Sequence, residues 1–494
     1  MQRWPYIWRL AYSSTFFQLI NSPTYLTMTQ TDAIATKGAI VIGSGLAGLS
    51  AAAQLITHDV PVTMIERAPR AGGNSIKASS GINGAPTKFQ PVQDELFYPD
   101  TVKSAGAAFK INQAYRESLI TALTGSSAEA IKWLTEDIGV ELSKVAQLGG
   151  HSRPRTHRGS GKLPPGAAIV TTLLKKLQSS PLFTLLTSTN VTKVLKTGST
   201  VTGVEYITGD QTNTLQASAI VFASGGFAGD SKGLLAQHRP DLAGFPSTNE
   251  AHPGSHKLLT DIGAQLIDME MVQVHPTGFV DPAASESPLK FLAAEVLRGE
   301  GGILLSGGKR FVNELQTRQV VTNAVLATPV ASEVPKQWDV QILLDEGAYE
   351  AAQSHVGFYL FKKIMQKVTV KELEPVVAET LQEYARVVAG EAEDALGRTT
   401  FGHWTLKDVT PDTVLYVGRV TPVVHFTMGG AIINDKAEVL DSSGQHIDGL
   451  WAAGEITGGV HGENRLAGSS LLECVVFGRK AGEGAAAHVA KTTV

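Results

Sequence analysis

The sequence predicts an α/β fold, because a strand, a glycine-rich turn, a helix and a second strand follow one another near its start. An apolar run ends in the turn Gly43-x-Gly45-x-x-Gly48 and is followed by a helical apolar pattern. The next β-rich run then ends at an acid, Glu66. This order is typical of the first unit of a Rossmann-like sheet, whose glycine turn binds a dinucleotide.

Each residue of this unit has a physical reason. Gly43 permits the tight turn, and Gly45 lets a pyrophosphate approach the backbone. Gly48 allows close packing of helix on strand, so that the helix N-terminus faces the phosphates. Glu66, at the end of the second strand, can accept hydrogen bonds from ribose hydroxyls.

Composition excludes several other classes of protein. The chain has 494 residues, 42 Lys+Arg against 46 Asp+Glu, and one cysteine, Cys474. The near-neutral charge gives no support to nucleic acid as a partner. One cysteine excludes an internal disulfide and a cysteine-ligated cluster, and we expect no metal site. No apolar stretch has the length of a membrane span, so we expect no integral membrane segment.

Two further features favour FAD over NAD as the dinucleotide. A second glycine-rich stretch, 72–84, follows Glu66 closely and suits a long cofactor with a bulky far end. Much later, a short apolar strand ends in Gly454-Glu455, and a helix is expected to begin near Ser469 or Ser470. An acid for ribityl hydroxyls and helix amides for a flavin carbonyl would fit there, although either serine could simply cap the helix.

Five short segments concentrate histidine, arginine and glutamate in a chain that is otherwise near neutral. Taken singly, each has an ordinary explanation, because surface arginines are usually solvated and a lone histidine is usually structural. The residues are His275, the i,i+3 pair Glu295 and Arg298, Arg318, His425 and Arg465.

Together with three longer segments, these residues resemble a known family. The segments are 73–83 (GNSIKASSGIN), 148–152 (LGGHS) and 468–479 (GSSLLECVVFGR). Over roughly 38–485 the chain resembles the soluble FAD-dependent fumarate reductases, most closely the fungal type that lacks fused haem domains. That family belongs with the fumarate reductase/succinate dehydrogenase flavoproteins.

The resemblance implies a role for each matching residue. Arg318 matches the proton donor to substrate, with Glu295 and Arg298 as the proton-delivery pair, although Arg318 could instead only bind substrate while water supplies the proton. His275, His425, Thr427 and Arg465 are expected to bind the substrate carboxylates. The expected cofactor residues are Gly43, Gly45, Ala47, Gly48, Glu66, Asn74, Ser75, Ser79, Ser80, Ala223, Glu455, Ser470 and Leu471.

The resemblance also implies a domain plan. A Rossmann-like FAD-binding domain occupies two sequence segments, 38–267 and 425–494. An inserted α+β clamp (capping) domain, 268–424, is expected to be mobile. Within it, residues 331–400 have a helical, amphipathic pattern.

Two departures from the family pattern have consequences. Ala294 stands where bacterial members often have a threonine, which removes one substrate contact. The family's Thr-Gly-Asp-Gly loop reads His252-Pro253-Gly254-Ser255, which replaces an FAD-contacting acid with Gly254. This replacement predicts weaker FAD binding or a rearranged loop. Because no histidine lies in 77–81, where membrane-bound relatives attach flavin, we expect non-covalent FAD.

The partners and location are also expectations. The substrate pair would be fumarate and succinate. The electron donor would be a reduced flavin or a small redox protein, since no haem motif or second dinucleotide fingerprint occurs. Residues 1–37 are a leader or extension with three basic residues and one acid, which favours mitochondrial targeting. Translation from Met28 would instead leave a cytoplasmic protein. We expect a monomer.

The sequence also allows other functions. The substrate could be another activated alkene or an amino acid, as in urocanate reductases, ketosteroid dehydrogenases and aspartate oxidases. The chain could also be a non-catalytic flavoprotein subunit or a redox sensor.

Overall fold

The computed structural model describes residues 35–90, 92–161 and 163–492. The first strand begins at Ala35, so all but the last three residues of the predicted leader lie outside the described residues. The strands are β1 (Ala35–Ile42), β2 (Val62–Ile65), β3 (Ile82–Asn83), β4 (Lys144–Ala146), β5 (Thr156–Arg158), β6 (Phe183–Leu186), β7 (Thr189–Thr197), β8 (Thr200–Thr208), β9 (Gln211–Phe222), β10 (Leu266–Ile267), β11 (Val272–Phe279), β12 (Phe291–Leu292), β13 (Ile303–Ser306), β14 (Lys309–Arg310), β15 (Val330–Glu333), β16 (Lys336–Trp338), β17 (Val340–Leu344), β18 (Gln366–Thr369), β19 (Val414–Thr427), β20 (Gly430–Ile432), β21 (Glu438–Leu440), β22 (His446–Ala452) and β23 (Thr457–Gly458).

Thirteen α-helices connect these strands within the described residues. They are α1 (Leu46–Thr57), α2 (Phe97–Ala105), α3 (Gln113–Gly125), α4 (Ser127–Lys132), α5 (Pro165–Gln178), α6 (Leu234–His238), α7 (His256–Thr260), α8 (Val296–Gly299), α9 (Arg318–Leu326), α10 (Glu346–Ala351), α11 (Gln353–Phe361), α12 (Pro375–Val388) and α13 (Ser469–Thr492). None of these helices is long and apolar enough to cross a lipid bilayer.

The main sheet confirms the predicted Rossmann-like arrangement. Its strand order is β21-β22-β9-β1-β2-β6, and β1, β2, β6, β9 and β22 pair in parallel. The ladder of β7 and β8 extends from β9 in antiparallel pairs. Because β9 and β22 come from the two predicted segments of the FAD-binding domain, this one sheet joins them.

Helices α1 and α13 pack against each other beside this sheet. Gly478 and Gly482 lie one helical turn apart on α13, and each meets the backbone of α1 closely. A Cβ at Gly478 would lie 2.5 Å from the oxygen of Ala47, and one at Gly482 would lie 2.5 Å from the oxygen of Ala51. The two glycines therefore bring the start of α13 to the same edge of the sheet as the start of α1.

A second sheet forms the core of the predicted clamp. Its order is β12-β11-β19-β17-β13-β14, with β18 also on β19, and all its pairs are antiparallel. Alternation along β17 buries Ile342 and Leu344 in one apolar cluster, with α9 and α11. Leu343 lies in another cluster with α12. Helices thus cover both faces of this sheet.

The helical pattern expected for residues 331–400 is wrong in part. Helices α10, α11 and α12 lie there, but so do β16, β17 and β18. Short apolar runs such as Val340–Leu344 fit either a strand or a buried helix segment, and here the pairing with β13 and β19 decides. The boundaries of the clamp at 268 and 424, and its mobility, stay predictions.

Candidate functional site

The predicted cofactor residues lie at the carboxyl ends of the parallel strands, which is where open α/β sheets bind ligands. Gly43 follows β1, Glu66 follows β2, Ala223 follows β9, and Glu455 comes shortly after β22. The starts of α1 and α13 lie at this same edge.

Two glycines of the turn stand where the protein's own backbone packs too closely for a side chain. A Cβ at Gly43 would lie 2.3 Å from the oxygen of Ala223, and one at Gly48 would lie 2.0 Å from the oxygen of Gly43. Gly45 caps α1, and a Cβ there would make only an ordinary contact, with Ser75 Oγ at 3.5 Å. The turn therefore fits a phosphate group at the helix N-terminus.

The Glu66 carboxylate is buried and held in place from both sides. Its Oε2 accepts from the backbone amide of Ser44 (3.0 Å), and its Oε1 accepts from the amide of Ala68 (2.7 Å). Ser75 Oγ accepts from the amide of Leu46 at 3.0 Å, which ties the second glycine-rich stretch to the start of α1. These bonds fix the acid at the strand end, where ribose hydroxyls are expected.

Other predicted cofactor residues line the same edge. Asn74 and Ser75 begin a short helical turn, 74–77, and Ser470 and Leu471 belong to the first turn of α13. Ser79 is buried, and its hydroxyl has no hydrogen-bond partner among the described residues. A buried hydroxyl of this kind is expected at a site that contacts a bound molecule.

Glu455 is tied to Thr427 at the end of β19. Its Oε1 accepts from the amide (2.9 Å) and the hydroxyl (3.1 Å) of Thr427. The Thr427 oxygen also accepts from the amide of Phe227 at 3.3 Å. Thr427 can therefore donate its hydroxyl hydrogen to a substrate carboxylate only if it gives up its hydrogen bond to Glu455.

Burial raises the pKa of Glu455 to about 7 from 4.5, against the opposing effect of the bonds from Thr427. Between these two values the folded protein keeps a proton that the unfolded chain has released. We therefore expect the contribution of Glu455 to the Tm of the apoprotein to fall by a few degrees as pH rises through this window and then to level off, against the opposite slope due to the buried histidines. Glu455→Gln should flatten this decline, whereas Glu379→Gln on the exposed face of α12 should leave it unchanged. A decline of equal size in Glu455→Gln would contradict the assignment.

Two of the predicted cationic residues, Arg318 and Arg298, meet around one carboxylate, that of Glu295. Arg318 is the first residue of α9, and its Nε and Nη2 lie 2.7 and 2.6 Å from Glu295 Oε2. Arg298 Nη2 lies 3.9 Å from Glu295 Oε1, and Arg298 Nη1 donates to the backbone oxygen of Glu314 at 2.7 Å. The side chains of Glu295, Arg298 and Arg318 are all buried.

Burial by itself raises the pKa of the Glu295 carboxyl, but Arg318 and Arg298 outweigh it and hold the net pKa below 4.5. Burial also lowers the pKa of Arg298 from its usual value. For Arg465, burial followed by repulsion from Arg318 lowers the pKa to about 9. The cluster thus holds an ionised glutamate, and two of its guanidiniums, those of Arg298 and Arg465, release a proton more readily than free arginine.

His275 and His425 are brought together although 150 positions separate them in the sequence. Their strands β11 and β19 pair antiparallel, and the ring centroids lie 5.4 Å apart. Burial, with repulsion from Arg318, lowers the pKa of both imidazoles well below 6.5, so both are neutral near pH 7. Nδ1 of His275 contacts the backbone of Thr277, which leaves Nε2 for a ligand.

Gln273 joins the two ends of this cluster and was missed in the sequence. Its Oε1 accepts from Arg318 Nη1 (2.8 Å) and from Arg465 Nη2 (3.0 Å). Its Nε2 donates to Asn464 Oδ1 (2.9 Å) and to the backbone oxygen of Arg465 (3.0 Å), so all its polar atoms are used. Because Gln273 lies two residues before His275 in a strand, the alternation of side chains could have indicated it.

Comparison with known proteins gives the family. The model for the FAD binding domain of the FAD_binding_2 family matches residues 38–471. Fumarate reductase 1 of Saccharomyces cerevisiae is 46% identical over 472 residues, which cover 90% of this chain and 97% of that protein. Fumarate reductase of Schizosaccharomyces pombe is 40% identical over 90% of this chain and 89% of its own length.

This chain belongs to the fumarate reductase flavoprotein family. Its fold also matches the open conformation of a flavocytochrome c3 fumarate reductase, with a TM-score of 0.73 and 31% identity over 92% of this chain and 78% of that one. As a member of this family, the chain is an FAD-binding oxidoreductase. The glycine turn, the fixed Glu66 and the unpartnered Ser79 hydroxyl fit that cofactor.

Within the residues that the structure describes, no three His, Cys, Asp or Glu side chains are grouped so that they could hold a metal ion. Instead, Arg465 Cζ lies 4.4 Å from the ring centroid of Phe426, next to His425 on β19. Its Nε is buried and has no partner among the described side chains and backbone groups. The guanidinium therefore offers donors to an anionic ligand.

Proposed function

We propose that this chain catalyses the FAD-dependent reduction of fumarate to succinate. The observation that carries the proposal is a cluster in which Arg318 pairs with Glu295 and shares Gln273 with Arg465. His275 and His425 lie side by side in the same site. A small dianion would compensate the excess positive charge of this cluster, whereas a neutral steroid or alkene would leave it unpaired. The two yeast relatives named as fumarate reductases support the same substrate.

The two carboxylates of the substrate would be bound at opposite ends of the cluster. Arg465 would bind one through its free guanidinium donors, in the bidentate manner typical of arginine. His275 and His425 would bind the other through their Nε2–H groups, with Thr427 as a further predicted contact. For His275 this requires the Thr277 amide to donate to Nδ1, an arrangement that its 3.2 Å distance allows.

Protonation of the substrate would fall to Arg318. FAD, when bound and reduced, supplies a hydride to one alkene carbon. Arg318 would donate a proton to the other carbon, and Glu295 would return a proton to Arg318 through its 2.6 and 2.7 Å contacts. Arg298, on the far oxygen of Glu295, would exchange protons with solvent. The hydride and the proton together convert the alkene into succinate.

Anaerobic reoxidation of the reduced holoenzyme tests the proposal. The bound flavin is reduced with dithionite, fumarate is added, and the return of the oxidised flavin spectrum is followed by stopped flow. We expect rapid reoxidation by fumarate and none by urocanate or a steroid enone. Reoxidation by urocanate alone would favour a related reductase, and no reoxidation by any of them would favour a non-catalytic subunit.

Gln273 gives a test of the charge balance in this mechanism. Gln273→Glu keeps the shape of the side chain and places a carboxylate against both Arg318 and Arg465, but it also removes the two hydrogen bonds that Nε2 donates to Asn464 and to the Arg465 backbone. Since a nearby anion stabilises protonated guanidinium, proton donation should slow, and we expect kcat to fall at least about 10-fold. The measurement is the pH profile of kcat. Gln319→Glu, on the exposed side of α9, is the matched control, and equal losses in both variants would contradict the assignment.

We further propose that FAD is held non-covalently and that electrons come from a reduced flavin or a small redox protein. With one cysteine, the chain has no Cys-x-x-Cys-His haem motif. Acid precipitation should release all the flavin into the supernatant, whereas flavin remaining in the pellet would contradict non-covalent binding. Titration with reduced FMN under argon would test the donor.

We propose a mitochondrial location and a monomeric state. The location rests on residues 1–37, of which 1–34 lie outside the described residues. A fluorescent fusion of the full chain should co-localise with mitochondria, and one that starts at Met28 should stay in the cytoplasm. Sedimentation equilibrium should give 52.3 kDa or slightly less after processing.

A further inference from the structure

The loop at 252–255, where the family's acid is replaced, is held by the residue next to the ribose acid. Arg67 directly follows Glu66 at the end of β2. Its Nη1 donates to the backbone oxygen of Pro253 at 2.9 Å, and its Nη2 lies 2.9 Å from His252 Nε2. One guanidinium therefore fixes two consecutive residues of the loop beside Glu66.

The other end of the loop is fixed at the neighbouring strand. Ser255 Oγ donates to Ser224 Oγ at 2.8 Å, and Ser224 directly follows Ala223 at the end of β9. The 252–255 loop thus spans from the end of β2 to the end of β9, across the edge at which a dinucleotide binds.

Asp230 supplies a carboxylate to this loop from another part of the chain. Its Oδ2 accepts from the amide of Gly254 at 3.0 Å and from the amide of Leu234 at 3.0 Å, and its side chain is buried. A Cβ at Gly254 would lie 2.7 Å from Leu234 Cδ1 and 3.0 Å from Phe227 Cβ. An acid at position 254 would therefore be crowded in this arrangement, whereas Asp230 is already in contact with the loop.

We propose that the 252–255 loop closes over the adenosine end of FAD, and that Arg67 and Asp230 hold it there in place of the acid that the family's loop carries. The adenosine end follows from Glu66, whose position at the end of β2 suits the ribose of that half of the cofactor. Arg67 and Asp230 are positioning residues, which act through the loop. The inference rests on the family's FAD site and is independent of the substrate.

Equilibrium binding to the flavin-free full chain tests this, with FAD, ADP and FMN as three separate probes. In Arg67→Ala and in Asp230→Ala we expect the Kd for FAD and for ADP to rise about 10-fold or more, with the Kd for FMN within 2-fold of the parent. In Asp230→Asn, which keeps an acceptor oxygen, the Kd values for FAD and ADP should rise less than in Asp230→Ala. The fold increase of Kd in the double variant should be smaller than the product of the two single-variant increases, because both residues hold the same loop.

Asp241→Ala is the matched control, since this carboxylate lies near the loop's segment in sequence but pairs on the surface with Arg239 at 2.6 Å. It should leave all three Kd values unchanged. An unchanged Kd for ADP in folded Arg67→Ala would overturn the proposal, and so would equal losses for ADP and FMN. Arg67 is only half-buried, so this variant decides even if Asp230→Ala fails to fold. No probe involves fumarate, so failure here is distinct from failure of the proposed reaction.

Discussion

Arg318→Ala is expected to lower the kcat for fumarate reduction by roughly 10²- to 10⁴-fold while FAD stays bound. The guanidinium makes its bonds to Glu295 and Gln273 and none to the glycine turn, so its removal takes away the proton donor without touching the cofactor residues. The measurement is steady-state turnover together with the ratio of flavin to protein absorbance. Arg318→Lys keeps the charge but shortens the reach to substrate, and it should also be severely impaired.

Gln319→Ala is the control for this helix, since the side chain next to Arg318 is exposed. It should retain parental turnover. If Arg318→Ala turned over fumarate within about 3-fold of the parent, another group or water would have to be the donor, and Arg318 would at most bind substrate.

Arg465→Ala is expected to lower kcat/KM for fumarate by roughly 100- to 1,000-fold, because one substrate carboxylate would lose a buried charged partner. The loss should appear largely in KM and in the Kd for succinate, since this residue binds and is not proposed to transfer the proton. Arg465→Lys should recover part of the affinity, because it restores a charge but not the planar fork.

The matched control for Arg465 is Arg419→Ala, an exposed arginine on β19 that lies 3.5 Å from Asp339. Its removal should leave KM unchanged. A fall in kcat at constant KM in Arg465→Ala would contradict the binding role and would instead indicate that the residue acts only in the transition state.

The cofactor edge could be predicted from the sequence because its signals are local. Gly43, Gly45 and Gly48 stand at fixed spacings between a strand and a helix, and at Gly43 and Gly48 the close approach of backbone leaves no room for a Cβ. The return of Glu455 to the same edge was also predictable, since an apolar strand ending in Gly-Glu is a short-range pattern. In the structure β22 pairs in parallel with β9, so both segments join one sheet.

The substrate side could not be obtained from local patterns alone. His275 and His425 meet only because β11 and β19 pair, and that pairing depends on contacts between distant parts of the chain. The role of Gln273 was missed because an amide carries no charge signal. The expectation for 331–400 was wrong in part because β16–β18 have no isolated strand signature, and their neighbours in the sheet determine their conformation.

Strand β19 connects the proposed substrate residues with the cofactor edge. It carries His425, which is proposed to bind substrate, and ends two residues later at Thr427, which donates twice to Glu455 on the cofactor edge. A shift of this strand would change the free energy of both binding events and would link them. Linkage is reciprocal, and the factor by which succinate tightens FAD binding must equal the factor by which FAD tightens succinate binding.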